Sequence, residues 1–290
     1  MHIEFERETM KRLFWGILVM TVLMFSCKGK QTTGAPDGAP SDTVDTTRTD
    51  TTAADTLEQL ITETPMPQTA DELFDDFLFN FVANKNLQYE RVAFPLAVTR
   101  NGQTTHMQRD QWSMERFFMR QGYYTLLFGS KSEMACMKDT SLVQATVEKI
   151  YFNTGAVIQY DFRRLHGVWM LCAVNTEPLS ANPNASFLEF YHHFVTDSVF
   201  QIQSLSETVT FVGPDPDDEF AQMEGILTPD TWPAFAPELP DKMLYNIVYG
   251  ARKPQTGRMI FLLRGIANGL EMEMTFRRDG DKWLLTKMIT

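Results

Sequence analysis

The chain repeats itself, and that repeat constrains its fold more than any single motif. Phe74, Phe77 and Phe81 recur as Phe187, Phe190 and Phe194, and the register continues through Val82 and Val195 into Leu87-Gln88 and Phe200-Gln201. Near the end of each copy, Phe162-Arg163-Arg164 with Trp169-Met170-Leu171 recurs as Phe276-Arg277-Arg278 with Trp283-Leu284-Leu285. Both correspondences hold an offset of about 113 residues, far longer than a solenoid unit. Between them, Leu127-Phe128-Gly129 answers Val248-Tyr249-Gly250 at a somewhat larger displacement, which calls for a loop insertion near Gly213–Glu224. The copies are domain-sized. They are expected at 71–179 and 185–290, joined through Ser180-Ala181-Asn182-Pro183-Asn184.

Each copy opens with apolar residues at i, i+3, i+4 and i+7, the stripe of an amphipathic helix. Thr69 and Ser186 are the candidate caps of these helices. Mixed helix and turn are expected next, with a helix over Trp112–Gln121. Four strand-like runs follow; in the second copy they are 243–251, 258–266, 270–277 and 282–289. Leu270, Met272, Met274 and Phe276 alternate with Glu271, Glu273, Thr275 and Arg277, the period of a sheet with one buried face. In the first copy Ile158, Tyr160 and Phe162 are the inward set, against Gln159, Asp161 and Arg163. Asn268-Gly269 and Asp279-Gly280 are hairpin signals. Helices first and an antiparallel meander afterwards define an α+β layer architecture.

On that pattern each unit resembles the nuclear transport factor 2-like (cystatin-like cone) fold, a curved antiparallel sheet wrapped by N-terminal helices. The chain from 71 to 290 further resembles a family of tandem-repeat lipoproteins of unknown function from Bacteroides-type gut bacteria. The residues that carry this are Phe187-Leu188-Glu189-Phe190-Tyr191, Gly213-Pro214-Asp215-Pro216-Asp217-Asp218 and Thr228-Pro229-Asp230-Thr231-Trp232-Pro233-Ala234-Phe235. The resemblance implies the fold and no activity. Relatives sharing the fold include isomerases and dehydratases that set an Asp or His base beside a Tyr in the cone cavity.

The first 27 residues read as targeting sequence. Lys11 and Arg12 precede the apolar run Leu13–Phe25, which is of signal-peptide length and too short to span a membrane comfortably. Glu4, Glu6 and Glu8 are foreign to an n-region, so Met10 is the expected start. Leu23-Met24-Phe25-Ser26-Cys27 resembles a bacterial lipobox, with Met24 and Phe25 departing from its tightest form; Cys27 is the expected lipidation site. Residues 28–70 are rich in Thr and acids, with scattered Gly and Pro, and lack the periodicity of a packed element, as a disordered tether would. Asp42-Thr43-Val44, Asp45-Thr46-Thr47, Asp50-Thr51-Thr52 and Asp55-Thr56-Leu57 are similar to the O-glycosylation sequon of the same bacteria, making Thr43, Thr46, Thr51 and Thr56 candidate acceptors. The implied address is the cell envelope, with a lipid anchor in a membrane (the outer one is favoured) and the folded part outside the cytoplasm.

A net charge of −11 and a pI near 5.0 exclude nucleic acid as a partner. The sequence has no phosphate-binding Gly loop, no nucleophile elbow and no His-Glu-x-x-His. His192 and His193 are adjacent on one helix and so diverge. The acids Asp215, Asp217, Asp218 and Glu219 lack the Gly and Glu positions of an EF-hand loop, since counting from Asp215 those fall on Phe220 and Ile226. They read better as a rigid acidic turn. Cys136 and Cys172 are expected to stay unpaired, and the arginines at 163–164 and 277–278 to pair with acids at a sheet rim rather than bind an anion. Trp169 and Trp283 are expected in the core. Trp112, Tyr160, Trp232, Phe235, Met272 and Met274 are the candidate pocket or contact residues; no catalytic residue, metal ligand or cofactor is assigned. Tyr160 and Asp161 face opposite sides of their strand, and the second copy has Met274 in place of Tyr160. The expected role is non-catalytic binding of an envelope protein or a small apolar ligand by a monomer whose copies pack as a pseudo-dimer. The competing class is a cone-cavity isomerase, dehydratase or hydrolase.

Overall fold

The computed structural model of the chain describes residues 71–215, 217–251 and 257–290. Cys27 and the four Asp-Thr triplets lie outside the described residues, as does the candidate cap Thr69.

Helix α1 (Phe74–Ala83) buries Phe74, Phe77, Leu78 and Phe81, the stripe its spacing predicts. Helix α2 (Lys85–Arg91) follows, capped by the Asn84 side chain, which accepts from the Leu87 amide. In the second half α3 (Ala185–Thr196) buries Phe187, Leu188, Phe190, Tyr191 and Phe194. Helix α4 (Ser198–Gln203) is capped by Asp197, which accepts from the Val199 and Phe200 amides. Ser186 lies inside α3, whose N-cap is Asn184. The aromatic ridges make equivalent contacts: Phe81 meets Phe162 edge-on at 5.3 Å and 88°, and Phe194 meets Phe276 at 5.4 Å and 89°. Trp169 and Trp283 are buried against the same ridges.

The first half supplies β1 (Val92–Arg100), β2 (Gln103–Met107), β3 (Tyr123–Phe128), β4 (Gln144–Tyr151), β5 (Ala156–Leu165) and β6 (Val168–Pro178). The second supplies β7 (Leu205–Asp215), β8 (Asp218–Leu227), β9 (Met243–Tyr249), β10 (Arg258–Gly265), β11 (Glu271–Asp279) and β12 (Lys282–Ile289). The later four match the strand runs expected from the sequence. The hairpins β1–β2 and β7–β8 replace the mixed helix and turn expected there. Each hairpin joins its sheet through a parallel pair, β1 with β6 and β7 with β12. The acidic cluster is the tip of β7–β8, where the Asp217 amide donates to Asp215 Oδ1. Residues 213–215 and 218–224 are thus no loose insertion but belong to the far part of a longer hairpin, with strands of 11 and 10 residues against 9 and 5 in the first half.

The two sheets exchange a strand. Their orders are β2-β1-β6-β5-β4-β9 and β3-β10-β11-β12-β7-β8. A meander closing on itself would pair β3 with β4 and β9 with β10. Instead β9 runs antiparallel to β4, and β3 antiparallel to β10. In the equivalent rows Thr146 faces Val248 and Ile260 faces Phe128, so Phe128 corresponds to Val248 rather than to Tyr249. The exchanged strands touch: the Thr125 hydroxyl donates to the Tyr245 carbonyl, and the Leu127 amide to Asn246 Oδ1 at 2.9 Å. Asn246 Nδ2 in turn donates to the buried Glu148 carboxylate, which also accepts from Asn182.

Candidate functional site

The expected helix over Trp112–Gln121 is absent, and its absence builds a site. The buried Gln88 side chain accepts from the Glu115 amide at 3.0 Å and donates to the Glu115 carbonyl at 2.6 Å. Both main-chain groups of Glu115 are thereby withdrawn from a helical ladder. Two residues on, Phe117 has φ +42°, a left-handed backbone that disfavours helix propagation. What forms is a 3₁₀ turn, Phe117–Arg120, with Glu115 aimed into the first half's cone.

There Glu115 Oε2 meets Lys149 Nζ at 2.6 Å and accepts from the Tyr160 hydroxyl at 3.0 Å, while Oε1 accepts from the Phe117 amide at 2.9 Å. Lys149 is an inward residue of β4, in the alternation Ala145, Val147, Lys149, Tyr151. Its ammonium lies 5.4 Å from the ring centres of Phe117 and Tyr160 and 5.8 Å from that of Tyr245, an aromatic cage closed by a carboxylate. Tyr245 arrives on the exchanged strand β9, in register with Lys149. The second half therefore completes the first half's site.

Burial works to raise the Glu115 carboxyl, but Lys149, the Phe117 amide and the Tyr160 hydroxyl outweigh it and hold it below its ordinary value. Burial, and then the Glu115 charge, push the Tyr160 and Tyr245 phenols far upward. A cavity of about 330 Å³ opens beside the pair. Met114, Phe117 and Met243 form its apolar wall, and Arg120, Gln121 and Tyr245 its polar one.

The sequence candidates scatter. Tyr160 is in this site. Trp112 is packed in the first core with its carbonyl accepting from Tyr89. Trp232 is buried, its indole N–H donating to Gln201 at 2.9 Å, so it offers no exposed contact surface. Met272 and Met274 fill the second core, because the inward face of β11 packs directly on α3. Phe235 is 47% exposed and leans on Phe211. At the positions equivalent to Lys149 and Tyr160 the second half has Leu263 and Met274, both buried. Glu115, Lys149 and Tyr245 went unread in the sequence. A lysine on the inward side of an alternating strand was the signal for one of them.

Among the described residues no three His, Cys, Asp or Glu side chains cluster to hold a metal, and no helix is long and apolar enough to cross a membrane. Cys136 and Cys172 are free thiols. His192 stacks on Phe152 at 4.9 Å, on the flank of α3.

A sheet wrapped by N-terminal helices around a cone cavity is the α+β architecture of nuclear transport factor 2-like proteins. The chain is similar to a crystal structure of an NTF2-like protein from Bacteroides fragilis, at 40% identity and a TM-score of 0.70, over 78% of this chain and 98% of that one. The chain belongs to the family described as Domain of unknown function (DUF4348), which matches residues 53–290. No protein of curated function matches it.

Proposed function

We propose that the chain is a cell-envelope lipoprotein of two tandem nuclear transport factor 2-like units, the first of which binds a small molecule without transforming it. The observation that carries the binding role is the asymmetry of the halves. One cone keeps the Glu115–Lys149 pair beside an open cavity of about 330 Å³, and the other is filled by Leu263 and Met274. A cavity of that volume suits a small ligand. Its methionine and phenylalanine wall fits an apolar body, and Arg120 at its rim an anionic head, which narrows the expected apolar ligand to an amphipathic one.

The electrostatics weigh against the enzyme alternative. A general base works best with its pKa near the working pH, yet Glu115 is pulled the other way, and its Tyr160 partner is driven too high to be a good acid. Native mass spectrometry of the protein made in its own cells should show a bound molecule of small mass. Met243→Trp, which fills the cavity from its rim, should remove that molecule and leave the fold intact. A wild-type protein with no adduct, or an adduct that Met243→Trp retains, overturns the pocket. Cys27→Ala should release the chain from membranes; retention would overturn the anchor.

A further inference from the structure

The outer face of the second sheet carries a groove of about 610 Å³ whose floor differs sharply from the equivalent patch of the first. Arg258 on β10 directly faces Arg277 on β11, and in a neighbouring row Thr275 faces Lys287 on β12. Like charges directly opposed across a ladder repel. Among the described residues neither Arg277 nor Lys287 has an acidic partner. Of the acids on the same face of β11, Glu273 is taken by Lys131 at 2.7 Å. Thr210, Thr275 and Thr286 also line it. Thr275 is 4% exposed, and its hydroxyl has no hydrogen-bond partner among the described residues.

The first half shows what is missing. Its corresponding rows pair Gln144 with Arg163 and Asp161 with Ala173. There Asp161, at the position of Thr275, presents a carboxylate that accepts from Thr146 and from Asn175, each at 2.7 Å. The second half has lost that internal carboxylate and gained two cations around the place it occupied. A chain of net charge −11 concentrates positive charge on this patch against its own background.

We propose that this groove binds an external oxyanion, a phosphate or sulfate group, seated where the first half holds the Asp161 carboxylate. The Arg277 fork and the Lys287 ammonium approach from two neighbouring strands, with Arg258 on a third adding positive charge beside them, a donor set matched to the several oxygens of such a group. The orphaned Thr275 hydroxyl supplies a further donor at the floor. The site is separate from the Lys149 cavity, and its test is independent of that reading.

The test is titration of the Cys27→Ala chain with inorganic phosphate and with sulfate at low ionic strength, followed by calorimetry. Saturable binding is expected. Thr275→Asp, which restores the first half's internal acid, should weaken it at least tenfold while keeping or raising the melting temperature. Lys287→Ala should weaken it at least fivefold. Arg163→Ala, at the equivalent place in the first half, should leave it unchanged. Sedimentation of the same chain with phosphatidylglycerol vesicles, against phosphatidylcholine vesicles, separates the sources of the group. Association lost in Lys287→Ala supports a lipid headgroup, and phosphate binding without association supports a soluble phosphate or sulfate ester. Absence of saturable binding to either ion, or binding that neither Thr275→Asp nor Lys287→Ala weakens, overturns the proposal.

Discussion

Lys149 and Glu115 are each costly to bury alone, and each makes the other's burial tolerable. The aromatic cage adds to the ammonium's stabilisation without neutralising it. Glu115→Gln should therefore destabilise the protein by roughly 3 kcal/mol, because it leaves Lys149 uncompensated. Adding Lys149→Met should recover most of that loss, as a double-mutant cycle in urea would show. The pH dependence has a definite sign. Glu115 titrates below its ordinary 4.5, so its contribution is complete above that value and is lost as pH falls through the depressed one. Asp75 is opposite. Burial raises it above its ordinary 3.8 despite the Tyr249 hydroxyl at 2.7 Å, so its contribution is complete below 3.8 and is lost as pH rises through the raised value. Acid unfolding monitored by circular dichroism should thus begin less steeply in Glu115→Gln, whereas Asp75→Asn should remove the loss that Asp75 causes on the neutral side. At this scale the sequence was partly legible. Tyr160 stood out on an alternating strand, but Glu115 owes its place to Gln88 and to a left-handed Phe117, and neither leaves a periodic trace.

Helices α1 and α3 were legible because their whole buried face is written as phenylalanine at helical spacing. Each ring in that face touches several others, and truncating one leaves a hole that rigid neighbours cannot close. Phe81→Ala and Phe194→Ala should each cost about 3–5 kcal/mol, measured by chemical denaturation. Phe235→Ser, at an exposed position, should change stability by less than about 0.5 kcal/mol. The hairpin β1–β2 was missed although Asn101-Gly102 marks it. Both residues have positive φ, +50° and +75°, the turn chemistry such a dipeptide signals. It was obscured by exposed residues along β2, Gln103 to Met107, which show no buried alternation. Strand exchange was illegible in principle. Strands β3 and β9 are apolar and of similar length, and local pattern does not say which of two similar ladders each will join.

Across the whole molecule the exchange makes the halves interdependent. Fragments 71–183 and 184–290 expressed separately should each lack a partner for an inner strand and so expose a sheet edge, a state that aggregates. Expressed together they should assemble into a soluble one-to-one complex, as size-exclusion chromatography would reveal. Either fragment remaining soluble and monomeric alone would contradict this. The two ladders also join the halves energetically. The first half holds a left-handed Phe117, a buried ion pair and a hollow, all departures from the most stable packing. The second half closes its cone with leucine and methionine and lends β9 to the first. One half can thus remain imperfectly packed around a ligand site because the other, locked to it by exchanged strands, supplies cohesion to both. After such an exchange neither half faces selection for stability alone, and the sequence freedom of one is underwritten by the packing of its twin.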